Sequence, residues 1–191
     1  MRSPSPPPPP PSVLLLVESD PGAVDTDAFH RWYDGEHVPA RMALPGFRSG
    51  TRYRATDGAH PGWLALYDVD PRTLDSAAYR RLRSHRSEAE RVVMRRLAVL
   101  RRRVLTVERH QGAAPAATPY LMSVAPGAAP DRLRALPGWV STTRYAPTGA
   151  DAEPLTLVRL LREPPADPAG RRFALWRHWP GPGGGTSAIH G

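Results

Sequence analysis

Apolar positions along the chain fall into short blocks of two different periods. Val13 to Glu18 is a nearly continuous Val and Leu run closed by Ser19-Asp20-Pro21-Gly22, the pattern of a buried strand ending in a turn. Next, Phe29, Trp32, Tyr33, Glu36 and His37 recur at helical spacing and share one face. Asp25 or Thr26 can cap this helix, and Pro39 is expected to stop it just beyond His37. From Phe47 to Ala55 the period changes to two: Phe47, Ser49, Thr51 and Tyr53 oppose Arg48, Gly50, Arg52 and Arg54. Trp63 to Val69 is apolar on both faces, so this third strand needs helices on one side and a second sheet on the other.

Farther along, Ser76 to Arg83 predicts a short helix, and Ser87-Glu88-Ala89-Glu90 is a capping box opening a longer one. Its expected apolar stripe is Val93, Leu97, Leu100 and Val104, with Arg91, Arg95, Arg96, Arg101, Arg102 and Arg103 on the solvated side. Val104 to Arg109 then closes the unit as a fourth strand. Strand, helix, strand, strand, helix, strand is the order of a ferredoxin-like fold, of α+β class.

Part of this order recurs. Leu44-Pro45-Gly46-Phe47 through Thr51-Arg52-Tyr53 returns 92 residues later as Leu136-Pro137-Gly138-Trp139 through Thr143-Arg144-Tyr145. Tyr120 to Val124 precedes the second copy as a strand, with a short helical stretch near Asp131 to Ala135; Leu155 to Leu161 follows as another strand, and Arg171 to Trp179 as a closing helix. A ferredoxin-like sheet has one bare face, so two copies in one chain can pair internally. The expectation is therefore a first unit over 13–110, a linker over 111–119 and a shortened, degenerate second unit over 120–179. A Pro-rich tail (1–12) and a Gly-rich tail (180–191) flank them.

Composition narrows the function classes. At 191 residues and 40% hydrophobic, the chain can bury a real core. With no Cys there is no disulfide or thiolate metal site, which fits a cytoplasmic setting. No apolar run is long enough to span a membrane. The net charge of +8 first suggests a polyanion partner. All 26 basic residues are Arg, however, in a chain rich in Ala, Pro and Gly, as a GC-rich coding sequence would produce. Nucleic-acid binding is thus a distant third reading.

Phe29-His30-Arg31-Trp32-Tyr33-Asp34-Gly35-Glu36-His37-Val38-Pro39, followed by Leu44-Pro45-Gly46-Phe47 and Thr51-Arg52-Tyr53, resembles the EthD-like branch of the dimeric α/β-barrel superfamily, in particular its two-repeat uncharacterised members. The resemblance implies tandem ferredoxin-like units forming an intrachain barrel. Relatives include cofactor-free monooxygenases, polyketide cyclases and dehydratases, and haem-binding proteins; in several, a histidine matching His37 points into a cavity between sheet and helices. The fold thus licenses several functions.

His37 is the leading candidate, either as an acid/base group or as a histidine that holds the loop to Gly46. The nearby helix C-terminus should favour its protonated form. Glu36 is its candidate orienter. Trp32 and Tyr33 read as core or as a substrate platform, and Tyr53 and Tyr67 as pocket donors. Arg52 lies opposite Tyr53 on its strand, which points to sheet pairing, while His30, His60, His85, His110 and His178 are expected at the surface. There is no phosphate loop, paired-His metal helix or nucleophile motif, so no cofactor and no metal are expected. What remains is a small-molecule pocket in the first unit. Its chemistry, if it has any, would be cofactor-free dehydration, cyclisation or oxidation of an aromatic or polyketide-like compound; the alternative is a noncatalytic barrel protein that binds or assembles, with homo-oligomers left open.

Overall fold

A computed structural model describes residues 12–115, 117–149, 153–167 and 170–181; the Pro6 to Pro11 run and the segment from 182 lie outside the described residues. Eight strands close into one antiparallel barrel: β1 (Val13–Asp20), β2 (Phe47–Ala55), β3 (Trp63–Val69), β4 (Val99–Gly112), β5 (Tyr120–Val124), β6 (Trp139–Pro147), β7 (Leu155–Leu160) and β8 (Gly170–Pro180). Around the ring they run β1-β3-β2-β8-β5-β7-β6-β4 and back to β1.

Strand alternation divides the apolar residues into layers. Leu14, Leu16, Tyr53, Leu64, Leu66, Leu105, Leu121, Tyr145, Leu155, Leu157 and Phe173 fill the barrel interior. Val13, Leu15, Val17, Trp63, Ala65, Tyr67 and Val69 face outward and are covered by Phe29, Trp32, Tyr33, Val38, Tyr79 and Val93 from the helices. A smaller outer cluster, Met122, Val124, Val158 and Leu160, packs against Leu133. The double-sided apolarity of β3 is therefore answered by helices outside and the opposite barrel wall inside.

The helices are α1 (Thr26–Trp32), α2 (Val38–Met42), α3 (Pro71–Leu74), α4 (Ala77–Ser84), α5 (Glu88–Arg96) and α6 (Pro130–Arg134). Asp25 caps α1 through the Ala28 amide at 2.9 Å. No helix among the described residues is long and apolar enough to cross a membrane.

Three expectations fail. Pro39 does not end the first helix: a π-helical turn over Tyr33–His37 joins α1 to α2, and Pro39 sits in the first turn of α2. The wider turn relieves the clash a proline ring makes one turn back. Second, the helix after the capping box stops at Arg96, and Val99–Gly112 is strand, so Leu100 and Arg101 to Arg103 belong to β4. Pairing of Leu14 to Asp20 with Val99 to Leu105 outweighs the helical spacing of those side chains. Third, Arg171 to Trp179 is not a helix but most of β8, hydrogen-bonded to β2 on one side and β5 on the other. Without those bonds the barrel would stay open.

Candidate functional site

The helix path from α1 through the π turn to α2 lies over the outer face of β2 and β3 and sets the site residues in one layer. Trp32 and Tyr33 are buried, and the His37 ring packs against both, at 4.5 Å and 4.8 Å between centroids. Tyr67 rises from β3 beneath them. Its ring lies over Gly50, where a Cβ would come within 3.3 Å of Tyr67 and of Met42 Sδ, so the absent side chain lets helix and strand approach.

Polar atoms in this layer are short of partners. Trp32 Nε1, Tyr33 Oη, His37 Nδ1 and Tyr67 Oη are all buried without a hydrogen bond. The Tyr33 and Tyr67 hydroxyls lie close enough to influence each other's ionisation, without a well-formed hydrogen bond between them. Burial raises both phenols, so both stay protonated. Burial also pushes His37 down from 6.5 to about 4, against the opposing pull of Glu90. The expected protonation of His37 is thereby overturned: the helix runs on to Met42, no free carbonyl end faces the ring, and desolvation dominates.

Glu36 does not turn toward His37. It accepts a hydrogen bond from Ser87 Oγ, at the start of α5. The carboxylate facing His37 is Glu90, whose Oε1 lies 3.7 Å from Nδ1, beyond hydrogen-bonding reach. Ser87 still caps α5 by accepting from the Glu90 amide at 3.0 Å, while the Glu90 side chain turns inward. Burial would raise the Glu90 carboxyl, but His37, Arg41 and Arg86 outweigh it and hold it below the usual range.

Two further residues join the layer unforeseen. Arg52 is 1% exposed, pairs with Asp34 and stacks its guanidinium 4.1 Å from the Tyr33 ring centre. Asp34 also accepts from Trp176 Nε1 on β8 at 3.0 Å, which fastens the π turn to the barrel. Arg52 thus serves helix-to-sheet attachment, not pairing between sheets. His30 is not exposed either: its ring sits between Trp63 at 4.4 Å and Trp176 at 4.6 Å. His178 is half-buried and bonded to Thr51 Oγ1 at 2.9 Å.

Tyr53 parts company with Tyr67. Register pairs Gly50 with Tyr67 and Tyr53 with Leu64, so Tyr67 shares the outer face with Arg52 while Tyr53 points into the barrel. There it borders a cavity of about 500 Å³, with Thr51, Leu66, Thr143, Tyr145, Arg48 and Arg159 among the lining residues. None of Trp32, Tyr33, His37 and Tyr67 lines it.

Among the described residues no group of three or more His, Asp or Glu side chains could hold a metal ion. Haem, which the sequence resemblance admits, does not fit either histidine position as placed. His37 is enclosed by Trp32, Tyr33 and Glu90, and His110, the histidine of the barrel cavity, lies with Nδ1 at 2.8 Å from Thr143 Oγ1 and Nε2 at 3.2 Å from the Gly112 carbonyl.

No family model matches the sequence, and no curated protein is detectably similar to it. Solved structures do match the fold. An anthrone oxidase-like protein superposes with a TM-score of 0.58 at 12% identity, over 93% of this chain and 96% of its own. A chlorite dismutase-like protein gives 0.53 at 12% identity, over 87% and 95%. These likenesses establish the architecture, a mixed α/β fold built on an eight-stranded antiparallel barrel with few helices.

Proposed function

We propose that this chain is an EthD-like, small-molecule-binding barrel protein that performs cofactor-independent acid/base chemistry on an aromatic or polyketide-like compound in the layer between α1, α2 and the sheet. One observation carries the reading: Trp32 Nε1, Tyr33 Oη, His37 Nδ1 and Tyr67 Oη are buried together without hydrogen-bond partners. A single orphaned polar group costs about 1–3 kcal/mol, so Trp32 Nε1, Tyr33 Oη and Tyr67 Oη together call for a ligand that satisfies them, while His37 Nδ1 faces Glu90.

The roles follow from the protonation states. Neutral His37 is the base, with Nδ1 toward Glu90 and Nε2 left to take the proton. Glu90, in place of Glu36, stabilises the imidazolium that forms. Tyr33 and Tyr67 remain protonated and can donate to the oxygen on which charge develops. A base with a pKa of about 4 is weak, so the proton removed must itself be acidic, as on a phenol or a carbon between two carbonyls. Polyketide-like compounds carry both. The neighbours described as oxidase-like and dismutase-like support a small-molecule role.

The internal duplication belongs to the same proposal, with units over 13–110 and 120–179. Two features support it. The strand order β4-β1-β3-β2 recurs as β8-β5-β7-β6. In addition, Thr51 bonds His178 of β8 while its counterpart Thr143 bonds His110 of β4. The second unit is the reduced one: residues 161–169 span what 70–98 fill with three helices in the first.

The test is capture of metabolites from an extract of small aromatic acids and polyketides, read by native mass spectrometry on wild type, His37→Ala and Glu90→Gln. Retention by wild type with turnover lost in both variants is the expected result. Absence of any retained compound on wild type would sink the proposal. Binding without chemistry is the second reading, favoured by the barrel cavity, which the His37 layer does not reach.

A further inference from the structure

The barrel interior holds a charge that nothing described so far uses. Arg159 lies on β7, where Leu155 and Leu157 face inward, and continues that inward alternation. Its Nε is buried without a hydrogen bond, and among the described residues no carboxylate pairs with its guanidinium. The other cation of the cavity, Arg48, has Asp68 at 3.7 Å. With Arg48 and Asp68 balancing each other, Arg159 leaves the lining with an unbalanced positive charge.

We infer that the barrel cavity is a binding site for a small amphipathic monoanion, a carboxylate on an aromatic or aliphatic body, with Arg159 as the cation that recognises it. A half-buried guanidinium with no carboxylate beside it is poorly compensated, and a planar carboxylate meets its fork with two parallel bonds. Thr51 and Thr143 offer hydroxyls from facing strands, and Tyr53, Tyr145 and Leu66 offer the apolar wall. At about 500 Å³ the space suits a body of one or two fused rings. Arg159 also acts electrostatically on the Tyr53 hydroxyl, which places its charge at that wall.

This site shares no residue with the His37 layer, so the two can fail separately. Calorimetric titration with 2-naphthoate and with its neutral analogue 2-naphthamide tests it. The wild-type protein should bind the naphthoate at least about tenfold more tightly. Arg159→Gln should abolish that preference, Arg159→Lys should keep most of it, and His37→Ala should leave it unchanged. Equal affinity of wild type for the two compounds would overturn the inference, as would a preference surviving in a folded Arg159→Gln protein. Should Arg159→Gln not fold, the wild-type preference together with the Arg159→Lys titration decides: no preference for the naphthoate in the first, or a preference for naphthamide in the second, overturns it.

Discussion

His37 Nδ1 and Glu90 Oε1 face each other across 3.7 Å, with both side chains nearly enclosed, and this pair ties α5 to the helix that carries the candidate base. Burial lowers the folded-state pKa of His37 to about 4, from 6.5. A histidine buried neutral stabilises the fold above its unfolded pKa and loses that contribution as pH falls, because the unfolded chain takes up the proton first. Urea unfolding should therefore show stability declining from pH 6.5 toward 4, by up to about 3 kcal/mol. In His37→Gln that decline should be much smaller above about pH 5.5, before Glu90 in the unfolded chain begins to take up its proton. An identical slope in both proteins would contradict the burial of a neutral ring.

Arg52 and Arg144 occupy matching positions in the recurring motif but differ in setting. Arg52 is 1% exposed and paired with Asp34, whereas Arg144 reaches Glu108 at 2.7 Å with both side chains about half exposed. Arg52→Ala removes the buried member of the pair, leaves the partly buried Asp34 carboxylate with only Trp176 Nε1, and is expected to cost about 3 kcal/mol. Arg144→Ala should cost under about 1 kcal/mol. Chemical denaturation of the two variants makes the comparison directly.

Ser87 has two tasks: it accepts the Glu90 amide as the cap of α5 and donates to Glu36. Ser87→Ala should lower stability by about 1 kcal/mol. Glu36→Gln keeps an acceptor for the Ser87 hydroxyl and should be nearly silent. If Glu36 oriented His37, the reverse ranking would be seen in the pH profile of ligand turnover, with Glu90→Gln silent.

Gly46 adopts φ +95°, and a Cβ there would collide with the Thr73 hydroxyl, which itself donates to the Pro45 carbonyl at 2.9 Å. Gly46→Ala should destabilise by about 1–3 kcal/mol through backbone strain and loss of that bond. A thermal melt suffices to check it. An unchanged midpoint would mean the turn can adopt another shape.

Most strands and the short helices were legible in the chain because local period and turn chemistry agree with the tertiary fold there; Phe47–Ala55 and Trp63–Val69 are strands over the expected bounds, although a bulge between Phe47 and Ser49 turns Phe47 to the outer face, opposite Tyr53. The misreadings share a cause. Leu97, Leu100 and Val104 are spaced as a helix stripe and Arg171 to Trp179 resembles a helix, yet both stretches pair with strands distant in sequence, β1 and β2, which no local window contains. The split of Tyr53 from Tyr67 has a related origin. Alternation within each strand was readable, but which face of β2 meets which face of β3 depends on register. Glu90 escaped notice because its capping-box position gave it a local task, and Asp34 because a buried ion pair with Arg52 has no sequence period. The recurrence of Arg52 as Arg144 was the one available signal, and it marked a shared strand position with two different environments.

Because β2 joins β8 and β4 joins β6 within a single polypeptide, dilution cannot separate the two walls of the barrel. A barrel assembled from two identical chains would display each substitution twice, once on either side of its axis. Here every change is made once. The covered setting of Arg52 and the solvent-facing setting of Arg144 can therefore change independently of each other.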